Sequence, residues 1–114
     1  MAKYMLLFTS TVPASEQMAK ASPEEMKASM DEWVEWHNEA AKTATLEWGL
    51  PLQAVSRITT NGVTDSDNHA SGYSMIEGEK EVVLALVKKH PHLKWPGASI
   101  DLLELLSMPG LKNK

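Results

Sequence analysis

With 114 residues, 43% of them hydrophobic and 23% charged, the chain has the composition of one folded domain spanning 1–114, and its lack of cysteine excludes disulfide scaffolds, zinc-thiolate centres and cysteine nucleophiles. Eleven Lys and Arg against fifteen Asp and Glu leave a net charge of −4, which argues against a basic nucleic-acid-binding surface. No apolar run approaches the roughly 18 residues of a membrane span, and Met1-Ala2-Lys3-Tyr4 leads into a strand-like segment rather than a signal peptide, so the expected address is the cytoplasm and no membrane partner is expected.

Residues 4–9 read as a strand with Tyr4, Leu6 and Phe8 on one face and Met5 and Leu7 on the other, so both faces are apolar. The stretch 10–21 reads as a loop. Ser22-Pro23-Glu24-Glu25 combines an N-cap serine, proline at the first helical position and a glutamate at N3, the signature of a capping box. At 100° per residue the helix that follows gathers Met26, Met30, Trp33, Val34, His37, Ala40, Ala41 and Ala44 into an inward stripe, with Trp36 at its edge. A second strand is expected at 52–60, ending in an Asn61-Gly62 turn, and a third at 73–77. Residues 79–89 read as a second helix with Val82, Val83, Leu86, Val87 and His90 inward, stopped by Pro91. The fourth strand, 100–108, is again apolar on both faces, apart from Asp101 and Glu104. Residues 110–114 read as a loose tail.

The order β-α-β-β-α-β is that of the ferredoxin-like split βαβ, an α+β fold with a four-stranded antiparallel sheet and both helices on one face. Two helices leave the second sheet face uncovered. Because the first and last strands are apolar on both faces, a second copy joined sheet to sheet, in a two-fold homodimer, is the expected cover.

Few residues invite a chemical role. His37 on the inner stripe is an acid/base candidate or a hydrogen-bonded core histidine. His90 projects inward and also stands at a helix C-terminus, where an imidazolium meets the dipole favourably. His90-Pro91-His92 lacks the i, i+4 spacing of a helical metal pair and has no evident third ligand, so no metal and no cofactor is expected; His69 reads as a solvated loop residue. Arg57, the single arginine, either pairs with a carboxylate at a sheet edge or fixes an anionic substrate through its two-pronged donors. The four tryptophans, Trp33 among them, read as packing residues because no basic stripe accompanies them.

Tyr4-Met5-Leu6-Leu7, Ser22-Pro23-Glu24-Glu25-Met26 with Trp33 and Trp36, Val63-Thr64-Asp65, Gly72-Tyr73, and His90-Pro91-His92-Leu93 before Gly97-Ala98-Ser99-Ile100-Asp101-Leu102 together resemble the YCII-related proteins, in the branch named for its DGPF motif. The resemblance covers nearly the whole chain and implies a dimeric α/β barrel of ferredoxin-like protomers. Where the branch has Asp-Gly-Pro-Phe this chain reads Asp65-Ser66-Asp67-Asn68, so Asp65 alone carries over. The catalytic histidine of the other branch falls near Asp31 or Glu32 here, so His37 does not match it in position. Two functional expectations follow. One is a small-molecule enzyme of proton-transfer or lyase type without a cofactor: His37 and Asp65 are the catalytic candidates, and Arg57, Trp33 and His90 the candidates for binding an anionic or aromatic organic substrate. The other is a non-catalytic homodimeric binding or accessory module with a regulatory protein partner, in which the histidines are structural.

Overall fold

The computed structural model of the chain describes residues 2–12 and 14–108; the expected loose tail lies outside the described residues. The elements run β1 (Lys3–Ser10), α1 (Ala14–Lys20), α2 (Pro23–Ala40), β2 (Thr45–Glu47), β3 (Ser56–Thr59), β4 (Gly62–Asp65), β5 (Ala70–Glu77), α3 (Lys80–Val87), a 3-10 turn (Pro91–Lys94) and β6 (Ala98–Glu104). β2, β5, β1 and β6 form, in that order, an antiparallel four-stranded sheet, while β3 and β4 make a separate two-stranded one. The architecture is α+β and compatible with a ferredoxin-like fold. No helix among the described residues is long and apolar enough to cross a membrane.

The pleat sorts the sheet residues into two sets. Tyr4, Leu6 and Phe8 of β1, with Ile76 of β5, form a buried cluster with Val83 and Val87 of α3, and Trp33, Trp36, Leu46, Leu86, Ile100 and Leu102 pack against it. The opposite set is in register too: Met5 pairs with Met75 and Leu103, and Leu7 with Tyr73 and Asp101. These residues lie on the far face and, apart from the exposed Asp101 and Leu103, are half-buried. One face of the sheet carries the core, and the other is apolar at its centre without belonging to the core.

The capping box at the start of α2 forms in full. Glu25 N donates to Ser22 Oγ and Ser22 N donates to Glu25 Oε1, both at 3.1 Å, and these bonds hold the Glu25 carboxyl below its ordinary pKa. Beyond this start, α2 is rotated from the expected stripe. Ala40 is buried and Trp33 and Trp36 reach the core, whereas Met26, Met30 and Val34 are exposed. Trp36 is no edge residue: its indole N–H donates to Leu86 O at 2.9 Å and ties α2 to α3.

Three expected elements need correction. The stretch expected to be a loop contains α1, built on good helix formers and supported by a Lys20–Glu16 pair at i, i+4. The second strand of the main sheet is Thr45–Glu47, because Leu46 packs on the core and pairs with Ile76, while 56–59 pairs with 62–65 outside the sheet. Between them the chain follows the edge of β5 through Tyr73 N to Leu50 O and Leu52 N to Ser71 O. Glycine is required on that path, since a Cβ on Gly49 would stand 2.0 Å from Tyr73 O. Finally, β6 ends at Glu104, with Leu105 and Leu106 beyond it exposed. Asp101 and Glu104 are tolerated because both are exposed on an edge strand.

Candidate functional site

Two groups of side chains carry the chemistry of this chain. The first is an aromatic and imidazole cluster where β1, α2 and the 3-10 turn meet. Trp33 lies edge-on to His90 at 4.5 Å between ring centroids, Trp36 is 4.4 Å from His90, and Phe8 is 4.9 Å from both Trp33 and His90. The sequence order Val87 to Pro91 explains the geometry. α3 ends at a Lys88 C-cap, and His90, extended at φ −65° and ψ 135°, becomes the N-cap of the 3-10 turn that Pro91 begins.

Hydrogen bonds assign the state of these imidazoles. His90 Nδ1 accepts from His92 N at 3.0 Å, so that nitrogen carries no proton, and burial together with the neighbouring His92 drives the pKa down to about 3. His92 Nε2 lies 2.9 Å from Thr9 O and, facing a carbonyl, donates. His90 is therefore not an imidazolium completing the dipole of α3, as its position in the sequence suggested. At 3% exposure, the desolvation of a charged ring outweighs the gain from the helix terminus.

The second group is His37 with Trp48. His37 sits in the last turn of α2, and its ring stacks on the Trp48 indole at 4.3 Å with the planes 6° apart. Its Nε2 is buried and has no hydrogen-bond partner among the described residues. The stack therefore offers one flat, half-exposed aromatic surface, while the unpaired Nε2 is closed off from solvent.

Trp33 and His90 of the expected set are brought together; His37, Arg57 and Asp65 are not gathered into one cleft. Arg57 lies on β3 and donates to Asp67 Oδ1 at 2.8 Å in an exposed ion pair, the sheet-edge pairing of the two roles weighed for it. Asp65 ends β4 opposite Ser56, also exposed. Two clefts of about 280 Å³ occur elsewhere. One separates the base of the β3–β4 hairpin from the end of the main sheet, with Ser10, Thr11, Gln53, Asp67 and His69 in its wall; the other lies between α2 and the 3-10 turn, beside Glu25, Glu32 and Trp95. Much of the polar lining of the first is already used: Ser10 Oγ accepts from Val12 N and Gln17 Nε2, Ser66 Oγ from Asn68 N, and Ser71 Oγ donates to Phe8 O. In the second, Lys94 is bonded to Glu32. Among the described residues no group of three or more His, Asp or Glu is placed to hold a metal ion.

Trp48 and His92 were missed as site residues. Only the Pro91 between two histidines hinted that His92 turns back toward the core, and nothing local links Trp48 to His37. The class this geometry defines is an α+β domain with a closed histidine–aromatic cluster and one stacked, unpaired imidazole. No protein-family model matches the chain, and no curated protein does.

Proposed function

We propose that this chain is a YCII-related protein of the DGPF-type branch, a ferredoxin-like βαββαβ protomer that pairs with a second copy as a dimeric α/β barrel and binds a small organic molecule bearing an aromatic or anionic group. The observation that carries the assembly is the uncovered sheet face, where Met5, Leu7, Tyr73, Met75 and Leu103 stand together in register outside the core. Joined face to face across a two-fold axis, each copy buries the same set. The ligand is supported by the exposed Trp48 indole, an apolar plane stacked on the His37 ring, whose buried Nε2 would have to be uncovered before a ligand could bond to it. A binding module is favoured over an enzyme because Arg57 and Asp65 stand on the exposed hairpin and His90 is held neutral among aromatic rings. Proton-transfer or lyase-type chemistry at His37 is the second reading, favoured by the same unpaired Nε2.

Sedimentation of the wild-type chain and of Leu7→Glu tests the assembly. The wild type should run as a dimer at micromolar concentration and the variant as a folded monomer; a wild-type monomer refutes the sheet-to-sheet reading. A thermal-shift screen against aromatic acids and lactones tests the ligand. Compounds that stabilise the wild type should lose that effect on His37→Ala, and an unchanged response removes His37 from the site.

A further inference from the structure

We propose that Asn61-Gly62, at the tip of the β3–β4 hairpin, is a site of spontaneous covalent modification, where the asparagine loses ammonia and becomes aspartate or isoaspartate. Of the four asparagines in the chain, only Asn61 precedes a glycine, and the turn leaves both reacting groups open. Asn61 and Gly62 are exposed. The Asn61 N–H donates to Thr59 Oγ1 at 3.2 Å, while the Asn61 carboxamide makes no hydrogen bond among the described residues. Gly62 stands at φ 131°, a region that L side chains rarely adopt, and a Cβ there would meet no described atom within 4 Å. No packed neighbour therefore shields the Asn61 carboxamide from the Gly62 nitrogen.

The chemistry needs only water as co-reactant. The Gly62 amide nitrogen, having given its proton to base, attacks Asn61 Cγ; the N–Cγ bond forms, the Cγ–Nδ2 bond breaks, and Nδ2 takes up a proton and leaves as ammonia. The product is a cyclic imide, which water then opens on either side of the shared nitrogen. Cleavage of the new N–Cγ bond restores the main chain with aspartate at position 61. Cleavage of the original bond between the Asn61 carbonyl carbon and Gly62 N leaves the main chain running through Cβ and Cγ, as isoaspartate. Each product adds one negative charge to the −4 of the chain. Isoaspartate also inserts a carbon into the main chain between Thr59 and Gly62, which are paired across the turn, so the hairpin cannot close in its present register.

Ring closure requires the Gly62 amide to leave the paired geometry, and the hairpin gives it that freedom. β3 and β4 form a sheet of their own, and all eight of their residues are exposed. A lone two-stranded hairpin is at best marginally stable in water, and a segment with so few buried contacts opens locally at little cost in free energy. Asn38 and Asn68 are held more firmly. Asn38 lies within α2, where the backbone N–H of the next residue is tied into the helix. Asn68 donates its N–H to Ser66 Oγ, and its Oδ1 accepts from Ala70 N at 2.7 Å.

Peptide mapping by mass spectrometry, on wild type and Asn61→Gln incubated folded at pH 8 and on wild type unfolded in guanidinium chloride at the same pH, tests the site. The folded wild type should gain the mass of an amide-to-acid exchange in the peptide holding residue 61, in two separable forms, while Asn38 and Asn68 stay unchanged. Its rate should lie within tenfold of the unfolded chain's, and Asn61→Gln, whose ring closure would need one more carbon, should show no gain there. A folded rate more than tenfold below the unfolded one, or an equal gain in Asn61→Gln, overturns the site. Once the isoaspartate form is separated, its amide resonances over residues 56–65 should be displaced from those of the unmodified chain, with those of the main sheet in place. Hairpin amides that do not move overturn the change of register.

Discussion

Acidification should destabilise this protein through His90. The ring is buried among Phe8, Trp33 and Trp36, its Nδ1 accepts from His92 N, and its pKa falls from 6.5 to about 3 on folding. The unfolded chain therefore binds this proton more readily than the folded one. The stability that the neutral ring contributes is complete above pH 6.5, declines as pH falls, and is lost in full once the pH passes below about 3. Each pKa unit corresponds to about 1.4 kcal/mol, so the full displacement amounts to roughly 5 kcal/mol, and about 2 kcal/mol of it is lost between pH 7.5 and pH 5. Urea unfolding at pH 7.5, 6 and 5, at fixed chain concentration, should show wild type losing that increment relative to His90→Asn. Asparagine keeps an acceptor near the position of Nδ1 without a titrating ring. Parallel pH profiles for the two proteins would refute the reasoning, because the difference between them isolates this one imidazole from every other group.

Three other outcomes follow from local geometry. Ser22→Ala removes the acceptor for Glu25 N and should cost about 1 kcal/mol in urea unfolding. Gly49→Ala places a methyl group 2.0 Å from Tyr73 O, which forces the chain off the edge of β5; a loss above about 2 kcal/mol is expected, seen as a lower Tm, and an unchanged Tm would contradict the described path. Arg57→Ala breaks only an exposed pair with Asp67 and should change unfolding by less than about 1 kcal/mol, so a large effect would mean that the guanidinium has a partner beyond Asp67.

What could be read from the sequence follows the range of the interactions. The start of α2 was legible because its determinants, Ser22 to Glu25, are four consecutive residues that bond to one another. The alternation along β1 likewise set Tyr4, Leu6 and Phe8 on one face, but because the other face is apolar too, only packing against α3 marks which of the two carries the core. β2 was not legible: three residues, two of them polar, become a strand only because Glu77, Ile76 and Met75 of β5 wait opposite. The better strand former at 52–60 lost that place, since propensity marks a segment as extended and does not name its partner. The candidate site divides the same way. Trp33 and His37 were correctly placed on one helix, but the rotation of α2 and the stacking of Trp48 depend on packing between distant segments. His90 was misread because a helix C-terminus is visible in sequence and the desolvation that overrides it is not.

The outer edge of β6 has a consequence for how copies of this chain meet. Among the described residues β6 closes one side of the sheet with no strand beyond it, and an exposed row of backbone donors and acceptors is a template on which further chains can add. Asp101 and Glu104 stand on this edge strand, opposite Leu7 and Tyr4, and both are exposed. A second β6 approaching edge to edge would bring these carboxylates against their own kind without a lysine or arginine on the strand to offset them. Ribbon-like growth through hydrogen-bonded strands is thereby disfavoured, while contact through the apolar face carries no such penalty at its centre. The same few charges that interrupt the hydrophobic pattern of the last strand thus steer association away from open-ended polymers.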